Sequence, residues 1–265
     1  MRGRVRDSAR PPAGGSPGTR GAGGALLLAA LCLFLAGCGS VRNKDSLAPD
    51  EGPADLYVDL SAEYLKLGQL EPALQHAQRA LAEDRKSARA HYMLGLVQQR
   101  LGREQEAEDE IAEAVRLAPD NPDFRNALGF VLCGRGRYDA AIAEIEKAIA
   151  NPLYKTPQVA LMNAANCAER HGRNSDAETF LRRVLTRSPN YPPALFAMAQ
   201  RSYARGDYKE ARGYLARYSR VGATTPQALL LAAHIERKLG NAREAQALES
   251  ALRRRFPDAP EIMQL

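Results

Sequence analysis

Four cysteines and four histidines are this chain's best candidates for metal, redox or nucleophilic chemistry. Cys32 and Cys38 lie near the start, Cys133 and Cys167 near the middle. His76, His91, His171 and His234 are scattered, and none has a metal ligand three or four residues further on. No CxxC, HExxH, GxSxG or Walker sequence is present. "CGRGR" at 133–137 holds a GxG, but no strand pattern precedes it, so it is not a phosphate loop. The acidic run "REQEAEDEIAEA" (103–114) has helical periodicity and reads as a solvated helix face, not a paired-carboxylate site. His91 falls on an apolar helix face and reads as a satisfied core residue. These patterns predict no enzyme, no cofactor, no metal and no small-molecule substrate.

Cys38 has the most informative surroundings. Residues 1–24 are rich in arginine, glycine and proline, residues 25–35 are apolar, and Ala36-Gly37-Cys38 follows. That is a signal peptide's layout: positive, then apolar, then small residues at a cleavage site. The apolar run spans roughly 16 Å as a helix against a hydrocarbon core of about 30 Å, so it is too short to cross a bilayer. Leu35-Ala36-Gly37-Cys38 resembles a bacterial lipobox. The resemblance implies cleavage before Cys38 (1–37 removed) and a lipid on its thiol and new amino group. Two or more acyl chains anchor a protein stably where one does not. An ordinary signal peptide with a chance cysteine is the other reading. Gly39 stands where an aspartate would argue for inner-membrane retention, so the expected address is the periplasmic face of the outer membrane. Residues 38–53 then form the lipidated cysteine and a polar, breaker-rich tether of about 50 Å at full extension.

The net charge of +6 suggests nucleic acid until it is located. Residues 1–37 carry five arginines and one aspartate, so +4 belongs there and only +2 remains for 38–265. A nearly neutral body offers little to a phosphate backbone, and no nucleic acid is expected.

From Ala54 onward the chain keeps a ruler. Gly68, Gly102, Gly136, Gly172, Gly206 and Gly240 are spaced 34, 34, 36, 34 and 34 residues apart. Five residues after each comes an alanine: Ala73, Ala107, Ala141, Ala177, Ala211 and Ala245. Eight before each is an apolar residue: Leu60, Leu94, Leu128, Ala164, Met198 and Ala232. The next residue is always small: Ser61, Gly95, Gly129, Ala165, Ala199 and Ala233.

This resembles the tetratricopeptide repeat, a 34-residue helix–turn–helix. The resemblance implies an all-α fold, a right-handed superhelix of six repeats at 54–87, 88–121, 122–155, 158–191, 192–225 and 226–259. Residues 260–265 are left as a C-terminal tail. The small residue and the alanine fall where the two helices of a hairpin come closest, and the glycine suits the turn between them. No single repeat can bury its apolar stripe, so the six must stack. The stretch "NPLYKTP" (151–157) is two residues over length, and its prolines forbid a helix through it. A bend, a contact surface and a tolerated insertion all remain open for it.

"NALGFVLCGRGRYDAAIAEIEKAIANPLYKTPQVALMNAANCAERHG" (126–172) and the ending "RRRFPDAPE" (253–261) resemble the PilF/PilW family of type IV pilus biogenesis and stability lipoproteins. That resemblance implies a pilotin: a lipid-anchored solenoid, monomeric alone, whose groove binds pilus secretin subunits and helps them reach the outer membrane and multimerise. Adaptors for β-barrel assembly or for cell-wall enzymes would use the same anchor and repeats. Positions on the inner face of the first helices nominate Tyr92, Leu96, Phe130, Met162, Asn166, Phe196 and Tyr203 as groove residues, with inter-repeat packing as the alternative for each. Cys133 and Cys167 fall on the first helices of adjacent repeats, so a disulfide between them is expected, against two buried free thiols.

Overall fold

The computed structural model describes residues 52–265. Cys38, the leader before it and most of the tether lie outside the described residues. Among the described residues there are twelve α-helices, one 3-10 helix and no strand. The first helices of the six hairpins are α1 (Pro53–Lys66), α3 (Ala88–Arg100), α5 (Pro122–Gly134), α7 (Pro157–Arg170), α9 (Pro192–Ala204) and α11 (Pro226–Lys238). Their partners are α2 (Leu70–Glu83), α4 (Glu104–Leu117), α6 (Tyr138–Ala150), α8 (Asn174–Arg187), α10 (Tyr208–Val221) and α12 (Ala242–Arg255).

Local chemistry explains the boundaries. Proline opens α1, α5, α7, α9 and α11, where its missing N–H costs nothing. Ser87, Asn121 and Thr225 cap α3, α5 and α11 by accepting backbone N–H bonds from the first turn. Between the helices of each hairpin sits one of the six ruler glycines, with φ from 68° to 87°. A side chain in that left-handed conformation costs about 1–2 kcal/mol, which is why the ruler is written in glycine.

Close approach explains the small residues. A Cβ on Gly95 would lie 2.4 Å from Ile111 Cγ1, and one on Gly129 would lie 2.5 Å from Ile145 Cγ1 and 2.8 Å from the Ala141 carbonyl oxygen. In the first hairpin Ser61 uses the same closeness differently: its hydroxyl donates to the Ala73 carbonyl at 2.7 Å. The ruler alanines Ala73, Ala107, Ala141, Ala177, Ala211 and Ala245 are all buried.

Each second helix also packs on the first helix of the next repeat, so the core is a ribbon along the array. Its largest cluster spans repeats three to five, through Ile145, Leu161, Leu181, Val184 and Met198. The over-length turn belongs to it. Tyr154 is buried there, while its neighbour Leu153 is 83% exposed. Asn151 pins the turn, donating to the Asp120 carbonyl at 2.8 Å and accepting from the Leu153 N–H at 2.9 Å. Residues 260–265, expected as a tail, are instead folded: the 3-10 helix Pro260–Gln264 packs on α11 with Glu261 buried.

Candidate functional site

The first helices touch in sequence, α1 on α3, α3 on α5, α5 on α7 and α9 on α11. Polar bonds cross from one first helix to the next on the face where the sequence nominates a groove. Arg89 on α3 donates to Asp55 and, at 2.9 Å, to Asp59 on α1. The Asn163 amide on α7 donates to Asn126 Oδ1 on α5 at 3.0 Å.

The seven nominated residues divide by environment. Phe130 is 38% exposed and Asn166 is exposed, at the same register on the adjacent helices α5 and α7. Tyr92 is half-buried, its ring 4.6 Å from that of Phe124. It borders a recess of about 450 Å³ lined also by Val58, Ala62, Arg89 and Asp123. Burial, reinforced by the charge of Asp123, pushes the Tyr92 phenol up to about 12. It therefore stays neutral, able to donate or accept. Leu96 packs with Ile111, Ala127 and Val131 between repeats two and three. Met162 packs on the central core cluster. Phe196 lies 5.4 Å from the Tyr218 ring, and Tyr203 lies 5.4 Å from Tyr208 and 6.3 Å from His234. The geometry thus offers Phe130 and Asn166 to a partner directly and Tyr92 at the rim of a recess. Leu96, Met162, Phe196 and Tyr203 are chiefly occupied with their own repeats.

Cys133 and Cys167 are buried side by side, with Cα atoms 5.8 Å apart, a separation that suits a cystine. His171 lies beside them, its Nε2 3.5 Å from the Cys133 carbonyl oxygen. The three side chains bring ligand atoms within 4.8 Å of one another. A bond between the two sulfurs would remove both as metal ligands and leave the cluster a structural role. Its sequence signal is Cys167 four residues before His171, on the upstream side of the histidine. His91 is held at both ring nitrogens, 2.6 Å from Glu110 and 3.1 Å from the Arg85 carbonyl oxygen.

The acidic helix α4 is more than a solvated face. Glu108 pairs with Arg135 at 2.7 Å and with Arg137 at 2.5 Å, both from "CGRGR" in the next repeat. Arg183 of α8 forks onto Glu146 of α6, and Arg201 of α9 reaches Glu169 of α7 at 3.2 Å. These charges join repeats. Among the described residues no helix is long and apolar enough to cross a membrane.

Twelve helices paired into six hairpins, with positive-φ glycines at the turns and first helices packed on one another, define a tetratricopeptide solenoid. The tetratricopeptide repeat family matches residues 58–122, 126–192 and 168–235. The crystal structure of PilW, described as a widely conserved type IV pilus biogenesis factor, superposes with a TM-score of 0.71 at 30% identity, over 80% of this chain and 97% of that one. The structure of Pseudomonas aeruginosa PilF gives 0.69 at 25% identity, over 80% and 95%. In sequence the chain is 25% identical over 243 residues to the type IV pilus assembly protein PilF of Pseudomonas aeruginosa, 91% of this chain and 96% of that protein. The chain belongs to the PilF/PilW family of tetratricopeptide-repeat type IV pilus biogenesis proteins.

Proposed function

We propose that this protein is a pilotin: an outer-membrane lipoprotein, acylated at Cys38, that binds type IV pilus secretin subunits and promotes their delivery and multimerisation. The observation carrying this reading is the likeness to PilF, a pilus assembly protein, over 91% of the chain, together with a lipobox-like sequence ahead of the repeats. The mechanism is capture without bond chemistry. A secretin segment lies on the first-helix face, with an apolar side chain against Phe130 and main-chain bonds to Asn166 and the Tyr92 hydroxyl. Aromatic anchors at the centre of a face are the residues most apt to dominate such binding. Holding subunits beside the bilayer raises their effective concentration and favours ring assembly.

Deleting the gene tests the reading: heat-resistant secretin multimers, separated by gel, should fall sharply along with twitching motility. Normal multimers and motility would overturn it. Replacing Tyr92 and Phe130 together by alanine should weaken secretin binding at least tenfold with helicity unchanged; unchanged binding would discard this groove. The Cys133–Cys167 bond is proposed to form in the oxidising periplasm. Counting thiols on the unfolded, unreduced chain from Cys38 should find none free at 133 and 167.

A further inference from the structure

The two ends of the solenoid are finished differently. At the C-terminal end the 3-10 helix Pro260–Gln264 folds onto α11, and the outer surface of α12 is polar, with Arg243, Gln246, Ser250 and Arg253 exposed. That is how a stack of repeats protects its last apolar face. The N-terminal end has no such cover among the described residues. Leu56 is 59% exposed, Leu60 36% and Leu67, at the α1 C-cap, 70%. Positions four and seven residues apart share one side of a helix, so the three leucines form one stripe. Register explains their exposure. The residues equivalent to Leu56 in later repeats are Ala90, Phe124, Ala160, Ala194 and Ala228, all buried against the preceding repeat. The first repeat has no predecessor. It carries leucine where four of the five others carry alanine.

We infer that this leucine stripe on α1 rests on the lipid bilayer, so that the solenoid stands end-on at the membrane with its groove free. The inference rests on the lipid anchor proposed above. Gly52 directly precedes α1, and Cys38 is fourteen residues upstream. A tether that short keeps this end, and not the far one, within reach of the headgroups. Three leucines would not hold a free protein to a membrane, but a tethered one meets the surface at high effective concentration. Charge does not oppose the contact. Arg89 bonds Asp55 and Asp59, and Lys66 bonds Glu63 at 2.6 Å, so the acids of α1 are paired. A second copy fits the patch less well: one helix stripe falls far below the roughly 1,000 Å² that a stable protein interface needs.

The chain contains no tryptophan, so one introduced indole reports alone. Glu63→Trp places it within the stripe and Ser250→Trp on α12. The acylated protein is reconstituted into vesicles whose lipids are brominated in the upper acyl chain. The Glu63→Trp indole is expected to be quenched at least threefold more than the Ser250→Trp indole. Adding Leu56→Glu and Leu67→Glu, both at exposed positions, should abolish the difference while the protein still sediments with the vesicles. Equal quenching at both sites on vesicle-bound protein overturns the inference and leaves the anchor intact. So does a dimer, seen in sedimentation velocity and lost in the Glu variants, that shields Glu63→Trp from bromine. Should the protein be recovered unacylated, the anchor reading fails. Coupling Cys38 to a maleimide phospholipid then tests the stripe by the same quenching: a threefold excess at Glu63→Trp supports it, and equal quenching overturns it.

Discussion

Gly129 and Gly213 are both helical glycines, yet the structure gives them opposite meanings. Helix propensity alone favours alanine over glycine by about 1 kcal/mol. At Gly213, exposed on α10, nothing lies within 4 Å of an added Cβ. Gly213→Ala should therefore stabilise the protein by about 0.5–1 kcal/mol. At Gly129 the added carbon meets Ile145 at 2.5 Å and the backbone oxygen of Ala141 at 2.8 Å. Ile145 can shift a little; the backbone oxygen belongs to a packed helix and cannot move without it. Overpacking of that kind costs about 1–3 kcal/mol and reverses the sign. Urea unfolding of the two variants should move the midpoint in opposite directions, and a shift the same way in both would refute the close-approach account. Such pairs were partly legible in the sequence: Gly129 lies on the ruler at a helix–helix contact, and Gly213 lies off it. What spacing does not reveal is the distance to a backbone oxygen, which depends on how two helices cross. Exposure hid in the same way. Phe130 and Leu96 share a register position one repeat apart, yet Phe130 reaches solvent and Leu96 fills the seam with Ile111.

Among the elements, the turn between α6 and α7 departs furthest from the repeat. Its two prolines announced a break, and its length announced an insertion, but neither says that the chain would fold inward. Tyr154 enters the same buried cluster as Ala164 and Met198. Ala164 stands where repeats one, two and three have leucine. The fourth repeat thus lacks volume at a core position, and the preceding turn brings an aromatic ring into the same cluster. In the sequence, Ala164-Ala165 is the weakest match to the repeat and the long turn is a separate oddity. Nothing there joins the two, because a turn residue has no periodicity to place it. Tyr154→Ala should cost about 3 kcal/mol, as expected for removing a buried ring that the surroundings cannot replace. Leu153→Ala, one residue away and 83% exposed, should cost less than about 0.5 kcal/mol. Denaturant titration of both decides the matter; equal small losses would make the turn a passive insertion. Polar joints between elements were similarly hidden. Glu108 with Arg135 and Arg137 looks in sequence like a solvated face and an unrelated basic loop. Such pairs at a solvent-accessible seam are worth on the order of 1 kcal/mol each, so they set register between repeats more than they hold them together.

For the whole molecule, a solenoid's stability is a sum over repeats and the seams between neighbours, so its weakest seam decides where it opens. The centre is well joined: Cys133 and Cys167 meet where α5 packs on α7, and the largest buried cluster runs from repeat three to repeat five. The seam between repeats five and six is not. A half-open cleft of about 230 Å³ lies among α10, α11 and α12, lined by Leu215, Ala228, Ala232, Ile235 and Leu248. Its cause can be read in the register. Ala232 occupies the position held by Leu60, Leu94, Leu128 and Met198 in other repeats, and no inserted turn precedes repeat six to compensate, as Tyr154 does before repeat four. The last two helices should therefore exchange their amide hydrogens before α5 to α8 do. Ala232→Leu adds a side chain that three other repeats already accept, and filling such a space typically gains about 0.5–2 kcal/mol. The gain should appear as slower exchange confined to α11 and α12, with rates in α5 to α8 unchanged, since each repeat feels mainly its neighbours. A variant that is destabilised, or whose protection rises evenly along all twelve helices, would mean that the cleft is not the weak seam and that the array opens as one body.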